Sequence, residues 1–126
     1  MIKVKRVYRP VASSDGARFL VDRIWPRGVQ KSALQLQAWL KDVAPSTSLR
    51  RWFGHDPKRW EEFRKRYFRE LLANPAALEP IVTAAKRGHV TLLYSAHDSE
   101  HNNAVALKDY IERQPRKQGR SPKRAA

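Results

Sequence analysis

The chain has 126 residues, with 26 Lys and Arg against 12 Asp and Glu, a formal charge of +14 and no cysteine. That length can bury a core without a metal or disulfide, and the missing thiols exclude cysteine nucleophiles, disulfides and thiolate metal sites. No apolar run approaches the ~20 residues of a spanning helix, and the start Met1-Ile2-Lys3-Val4-Lys5-Arg6 alternates too soon for a signal peptide, so the expectation is a soluble cytoplasmic protein with no membrane partner.

In chain order, Ile2, Val4 and Arg6 alternate with Lys3, Lys5 and Val7, which predicts a first strand running to about Tyr8. Arg9-Pro10 to Gly16 is a loop, and Arg18-Phe19-Leu20-Val21-Asp22 is a second strand, more continuously apolar and so more central. Ser32 with Gln35 forms a capping box opening a helix through Trp39 and Leu40, ended by Ala44-Pro45. Ser46 caps a short helix to Phe53 with Gly54 as its stop. Asp56-Pro57 starts the clearest helix, whose inward face is Trp60, Phe63, Tyr67 and Leu71. Asn74-Pro75 starts another, with Leu78, Ile81, Val82 and Ala85 inward and Gly88 at its end. A third strand spans Val90 to Ser95, and a last helix runs from about Ser99 to Arg113 with Ala104, Leu107 and Ile111 inward.

Strands separated by helices predict an α/β fold. The expected form is a small single-domain sandwich over residues 1–113, with a short, largely parallel sheet flanked by helices. The direction of the first strand stays open, because the link to the second is short for a helical crossover. Residues 114–126, rich in Arg, Lys, Pro, Gly and Ser with no large apolar residue, are expected to be a disordered basic tail. That segment holds five basic and no acidic residues. Nine of the fourteen positive charges therefore belong to residues 1–113, and the folded part is basic in its own right.

Two strand ends carry chemistry-bearing residues. Val21-Asp22-Arg23-Ile24-Trp25-Pro26-Arg27-Gly28 ends a buried strand in a loop fixed by Pro26 and Gly28. Its two guanidiniums suit phosphate or carboxylate, and its indole offers a flat face. A structural corner, with Asp22 paired to Arg23 or Arg27 over Trp25, is the competing reading. The third strand leads through Tyr94, Ser95, His97, Asp98, His101 and Asn102 into the last helix. Ligands of open α/β sheets gather at strand carboxyl ends, so two parallel neighbours would place both clusters on one cleft, with the helix N-terminus adding to an anion site.

His97 and His101 lack a third metal ligand, so no metal is assigned. Asp98 or Ser99 is the expected cap of the last helix. Asp98 could also polarise a histidine for acid–base work, and His55, just before the Asp56 cap, either packs on Trp60 or enters the cleft. The aromatics Trp39, Trp52, Trp60 and Tyr67 are read as core. The cationic run Lys58, Arg59, Arg64, Lys65, Arg66 and Arg69 could track a phosphate backbone, but it is read first as a solvated helix face.

With these residues in hand, the chain closely resembles the YeaO-like family, small bacterial proteins with a domain of unknown function. The resemblance rests on Val21 to Gly28, Trp39 to Ser46, Leu49 to Pro57, and Thr91 to Tyr94 with His101-Asn102, and it covers about Val4 to Ile111. It implies a compact α/β fold in a cytoplasmic bacterial protein and no established reaction. Broader relatives resemble it with Cys-His-Arg where this chain has His101-Asn102-Asn103, so thiol chemistry there is not carried over. The resemblance adds weight to Arg23, Trp25, Arg27, His55, Tyr94 and Asn102.

The expected function is binding of a phosphate- or carboxylate-bearing small molecule between the strand ends. Asp22, Arg23, Trp25, Arg27, Tyr94 and Asn102 would contact the ligand, with His101, His55 and Asp98 as acid–base candidates if a reaction follows. No cofactor fingerprint is present: there is no dinucleotide glycine loop, phosphate-loop lysine or nucleophile elbow. The alternative is a nucleic-acid-binding protein using its basic surface and tail, although no helix-turn-helix, RNA-recognition or zinc pattern is recognisable.

Overall fold

The structure is a computed structural model and describes residues 1–113; the predicted tail, 114–126, lies outside them. Four strands form one sheet: β1 (Ile2–Arg6), β2 (Ala17–Leu20), β3 (Ala38–Trp39) and β4 (Val90–Tyr94). Their order is β1-β4-β2-β3 and every pair is parallel, which settles the direction of the first strand. The helices are α1 (Lys31–Leu34), α2 (Thr47–Phe53), α3 (Trp60–Leu72), α4 (Glu79–Arg87) and α5 (Asn103–Arg113). None of them is long and apolar enough to cross a membrane.

β4 is buried at all five residues, the pattern of a central strand covered on both faces. Its alternate side chains serve two cores. Val90, Leu92 and Tyr94 join Phe19, Val21 and the inward residues of α2 to α5 in the larger one. Leu93 joins Val7, Leu20 and Leu34 in a smaller one, bordered by Trp25 and Trp39. Within α3, Phe63, Tyr67 and Leu71 are buried as the spacing predicts, with Trp60 packed at their edge.

Punctuation explains most element ends. The Ser46 hydroxyl accepts from the Leu49 N–H, and Gly54, at φ 53°, closes α2. Asp56 accepts from the Lys58 N–H to open a 3-10 turn, Pro57–Arg59, that runs into α3. A similar turn, Pro75–Leu78, precedes α4. Gly16 has a stricter reason: at φ +65°, a Cβ there would come within 2.1 Å of the His89 carbonyl oxygen, and the same carbonyl accepts from the Ala17 N–H as β2 begins beside β4.

Two expectations are corrected. The helix predicted from Ser32 through Leu40 is one turn long, ends where Gln35 turns left-handed at φ 47°, and gives way to β3. The amides of Gln37 and Leu40 donate to the Arg18 and Leu20 carbonyls at 2.7 and 2.8 Å, satisfying β2 groups that would otherwise lie open. The last helix starts at Asn103 rather than about Ser99. Asp98 accepts from the Glu100 and His101 amides in a turn of its own, and Asn102 is the cap, its Oδ1 accepting from the Val105 N–H at 3.0 Å.

A buried ionic cluster lies beneath the loop after β1. Asp15, with 0% exposure, accepts from Lys5 at 2.7 Å and from Arg18 at 2.6 Å. Burial alone would raise its pKa, but the bonds from Lys5, the Ala12 N–H and Arg18 outweigh it and hold the carboxyl well below the usual range. The Arg18 Nε also donates to the Leu34 carbonyl, fixing α1 over the sheet.

Candidate functional site

A cleft of about 700 Å³ opens at the carboxyl ends of β2 and β4, a volume in the range of small-molecule sites. Parallel neighbours bring both strand ends to one place, as the topology requires. Asp22, Arg23, Trp25, Arg27, His55, Asp98, His101 and Asn102 all line it, together with His97. Tyr94 does not: it is 4% exposed and packed in the larger core, so its expected role in orienting a ligand is corrected. As the fifth residue of a strand whose odd positions face that core, it points with Val90 and Leu92.

Asp22 is the hub of the cleft floor. One carboxylate oxygen accepts from the Ser95 N–H at 3.0 Å and the Ser95 hydroxyl at 2.8 Å, and the other from the Asn103 amide at 3.1 Å. Asn103 Nδ2 also donates to the Val21 carbonyl. The ends of β2 and β4 and the first residue of α5 are thereby tied through one carboxyl. Burial pushes its pKa upward, against the lowering effect of these donors and of nearby Arg50.

The competing corner, an Asp22–arginine ion pair, does not form. Arg23 instead donates from Nε and Nη2 to the Pro45 and Ala44 carbonyls, bracing the segment before α2. Trp25 donates from its indole N–H to the Val29 carbonyl at 2.7 Å and packs edge-on against Trp39, ring centroids 5.2 Å apart. Tyr8 donates to the Arg27 carbonyl, holding the loop while the Arg27 side chain stays exposed. Arg23 and Trp25 thus hold the wall as well as lining it.

On the other side, His101 and Asp98 form a pair, His101 Nδ1 donating to Asp98 Oδ2 at 2.9 Å. This leaves Nε2 as the ring nitrogen free for proton exchange. The amide of Glu100 above all, then His101, holds the Asp98 carboxyl below its ordinary range. The Trp60 edge lies against the His101 ring at 5.2 Å. His97 faces Arg6, whose Nε donates to the Ser95 and Ala96 carbonyls, so the two histidines have separate partners. Among the described residues no group of three metal-binding side chains assembles. His55 is exposed at φ 58°, an uncommon left-handed residue directly after Gly54, and its ring sits 6.4 Å from Phe53 rather than on Trp60.

Sequence reasoning missed Arg50 and Asn103 as cleft residues of consequence, and it placed Ser95 at the strand end without its bond to Asp22. Arg50 lines the cleft from α2; its local signal is indistinguishable from that of Arg51. Asn103 was overlooked beside Asn102, although two adjacent asparagines can divide the work, one capping the helix and the other reaching the strand.

The chain is 42% identical over 110 residues to the uncharacterized protein YeaO of Escherichia coli (strain K12), covering 87% of this chain and 96% of the relative. It is 41% identical over 110 residues to uncharacterized proteins of Mycobacterium bovis (Mb3100c) and Mycobacterium tuberculosis (Rv3073c), covering 87% of this chain and 92% of each. No solved structure matches it significantly. The family model described as the inactive DUF488-N3 subclade matches residues 1–125, and the chain therefore belongs to that DUF488, YeaO-like family.

Proposed function

We propose that the cleft binds a small phosphate- or carboxylate-bearing molecule, and that recognition rather than turnover is its task. The observation that carries this is an imbalance of partners. Arg27 and Arg50 line the cleft with no ion pair among the described residues, while both cleft carboxylates, Asp22 and Asp98, are held by internal donors. Guanidinium forks with no salt-bridge partner, beside carboxylates already held by donors, favour an incoming anion. Ile24, Phe53 and Phe63 add apolar lining suited to the body of an organic ligand.

The description of the subclade as inactive agrees with binding without chemistry. The chain has no thiol, and the Ser95 hydroxyl is engaged with Asp22. The Asp98–His101 pair would then orient a polar group of the ligand through Nε2.

Calorimetry and thermal unfolding of the full chain with inorganic phosphate, nucleoside monophosphates and dicarboxylates test the reading. A ligand at a hundred times its Kd should stabilise the protein by about 2.7 kcal/mol, a rise in Tm on the order of 10 °C. Arg27→Ala and Arg50→Ala should each weaken binding about tenfold or more, from the loss of a charge-assisted bond. Absence of any anion-induced shift, or a shift equal in both variants and the native chain, would refute the proposal.

A further inference from the structure

A second cationic surface lies along α3 and the 3-10 turn before it. Lys58, Arg59, Lys65, Arg66 and Arg69 are exposed there, and none of them lines the cleft. Two are held in place. The guanidiniums of Arg59 and Arg66 lie over the Trp52 ring, 5.1 and 4.3 Å from its centroid. Arg59 also donates to the Trp52 carbonyl, and Arg66 donates from Nε to Glu62 at 2.9 Å, leaving its two terminal nitrogens free. Lys58, Lys65 and Arg69 have no ion pair among the described residues. Of the neighbouring acids, Glu61 is engaged by Arg64 and Glu62 by Arg66.

We infer that this face binds the phosphodiester backbone of a nucleic acid, at a site separate from the cleft. Arg59, Arg66 and Arg69 recur at intervals that share a helix side. From Arg59 to Arg69 the helix advances about 15 Å, the axial span of roughly four phosphates on one duplex strand. Guanidiniums already fixed against an indole lose little freedom when they close on phosphate oxygens, so the binding cost is lowered. A membrane surface fits less well, because an interfacial helix needs an apolar face beside its cations and Leu72 is the one large exposed apolar side chain of α3. An acidic protein would not need the regular spacing.

Fluorescence anisotropy of the full chain with labelled single-stranded RNA, single-stranded DNA and duplex DNA tests this, each titrated across salt. Binding should weaken with salt, with a slope of log K against log salt of about −3 to −4 on duplex. Lys65→Ala/Arg69→Ala breaks no described side-chain hydrogen bond or ion pair and should weaken binding about tenfold, with the slope shallower by about 2. Arg59→Ala/Arg66→Ala should do at least as much, its folding checked by thermal unfolding. Arg27→Ala/Arg50→Ala should weaken oligonucleotide binding clearly less than either α3 double variant, and a loss as large as theirs would place the nucleic acid in the cleft and overturn the inference.

Four further results overturn the inference: no binding at low salt, indifference to both α3 double variants, equal affinity for a polyglutamate peptide, or loss confined to a full-length variant with its tail arginines and lysines (Arg116, Lys117, Arg120, Lys123, Arg124) changed to glutamine. Because the cleft residues are varied separately, failure here and failure of the small-anion reading are distinguishable.

Discussion

Asp15 and Asp22 show how a carboxyl's surroundings decide its consequence. Asp15 is buried with Lys5 and Arg18 on it, and its pKa is depressed. Its contribution to stability is therefore complete above the ordinary carboxyl value of 3.8 and is lost as pH falls below it. Asp22, raised by burial, acts with the opposite sign: its ionisation removes stability as pH climbs above 3.8 toward its folded value. Asp15→Asn should cost about 3–5 kcal/mol at pH 7, since two cations then lie against a neutral amide, and should flatten the acid limb of stability against pH. Urea unfolding from pH 2.5 to 7 measures both; an unchanged acid limb would show that other carboxyls govern it. Neither role was legible in the sequence. Asp22 reads as a strand-end residue facing a ligand until Ser95 and Asn103, more than 70 residues away, are placed on it, and Asp15 sits in what reads as an ordinary polar loop.

At the level of elements, the helices with explicit punctuation were readable and the one without it was not. Ser46 and Gly54 bracket α2, Asp56-Pro57 leads into α3, and Asn74-Pro75 leads into α4. β3 has two residues, too few to show a period, and it exists because the edge of β2 offers carbonyls to Gln37 and Leu40. The Ser32–Gln35 capping box is a local preference defeated by that pairing. The start of α5 was misplaced because Asp98 and Asn102 both resemble caps, and only geometry shows that the first closes a turn around His101 while the second caps the helix. Asn102→Ala should destabilise the protein by about 1–2 kcal/mol. Hydrogen exchange should rise first at the amides of Asn103 to Ala106. If Asp98 were the effective cap, the variant would be nearly silent.

Across the whole molecule, the cleft was legible for a topological reason: two chemistry-rich segments at parallel strand ends must converge. What could not be read was the division between ligand-facing and wall-bracing groups. Arg23 and Arg27 look alike in sequence, yet one donates to carbonyls and the other is exposed. The excess positive charge also divides spatially, with one group of arginines lining a concave site and another along α3.

The strand order carries a consequence for how the chain is made. β1 is synthesised first, but its neighbour in the sheet is β4, which begins at Val90, and β4 is also what joins β1 to β2. At roughly 5–20 residues per second, the growing polypeptide spends about 4–18 s with Ile2–Arg6 lacking any partner strand. Lys3 and Lys5 on that waiting segment discourage it from pairing with another nascent copy. Ribosome-stalled chains ending before residue 90 should be cut readily by protease, whereas chains with Tyr94 and α5 clear of the exit tunnel should resist; early resistance would mean that β2, β3 and the helices form a folding unit without the strand that links them to the start of the protein.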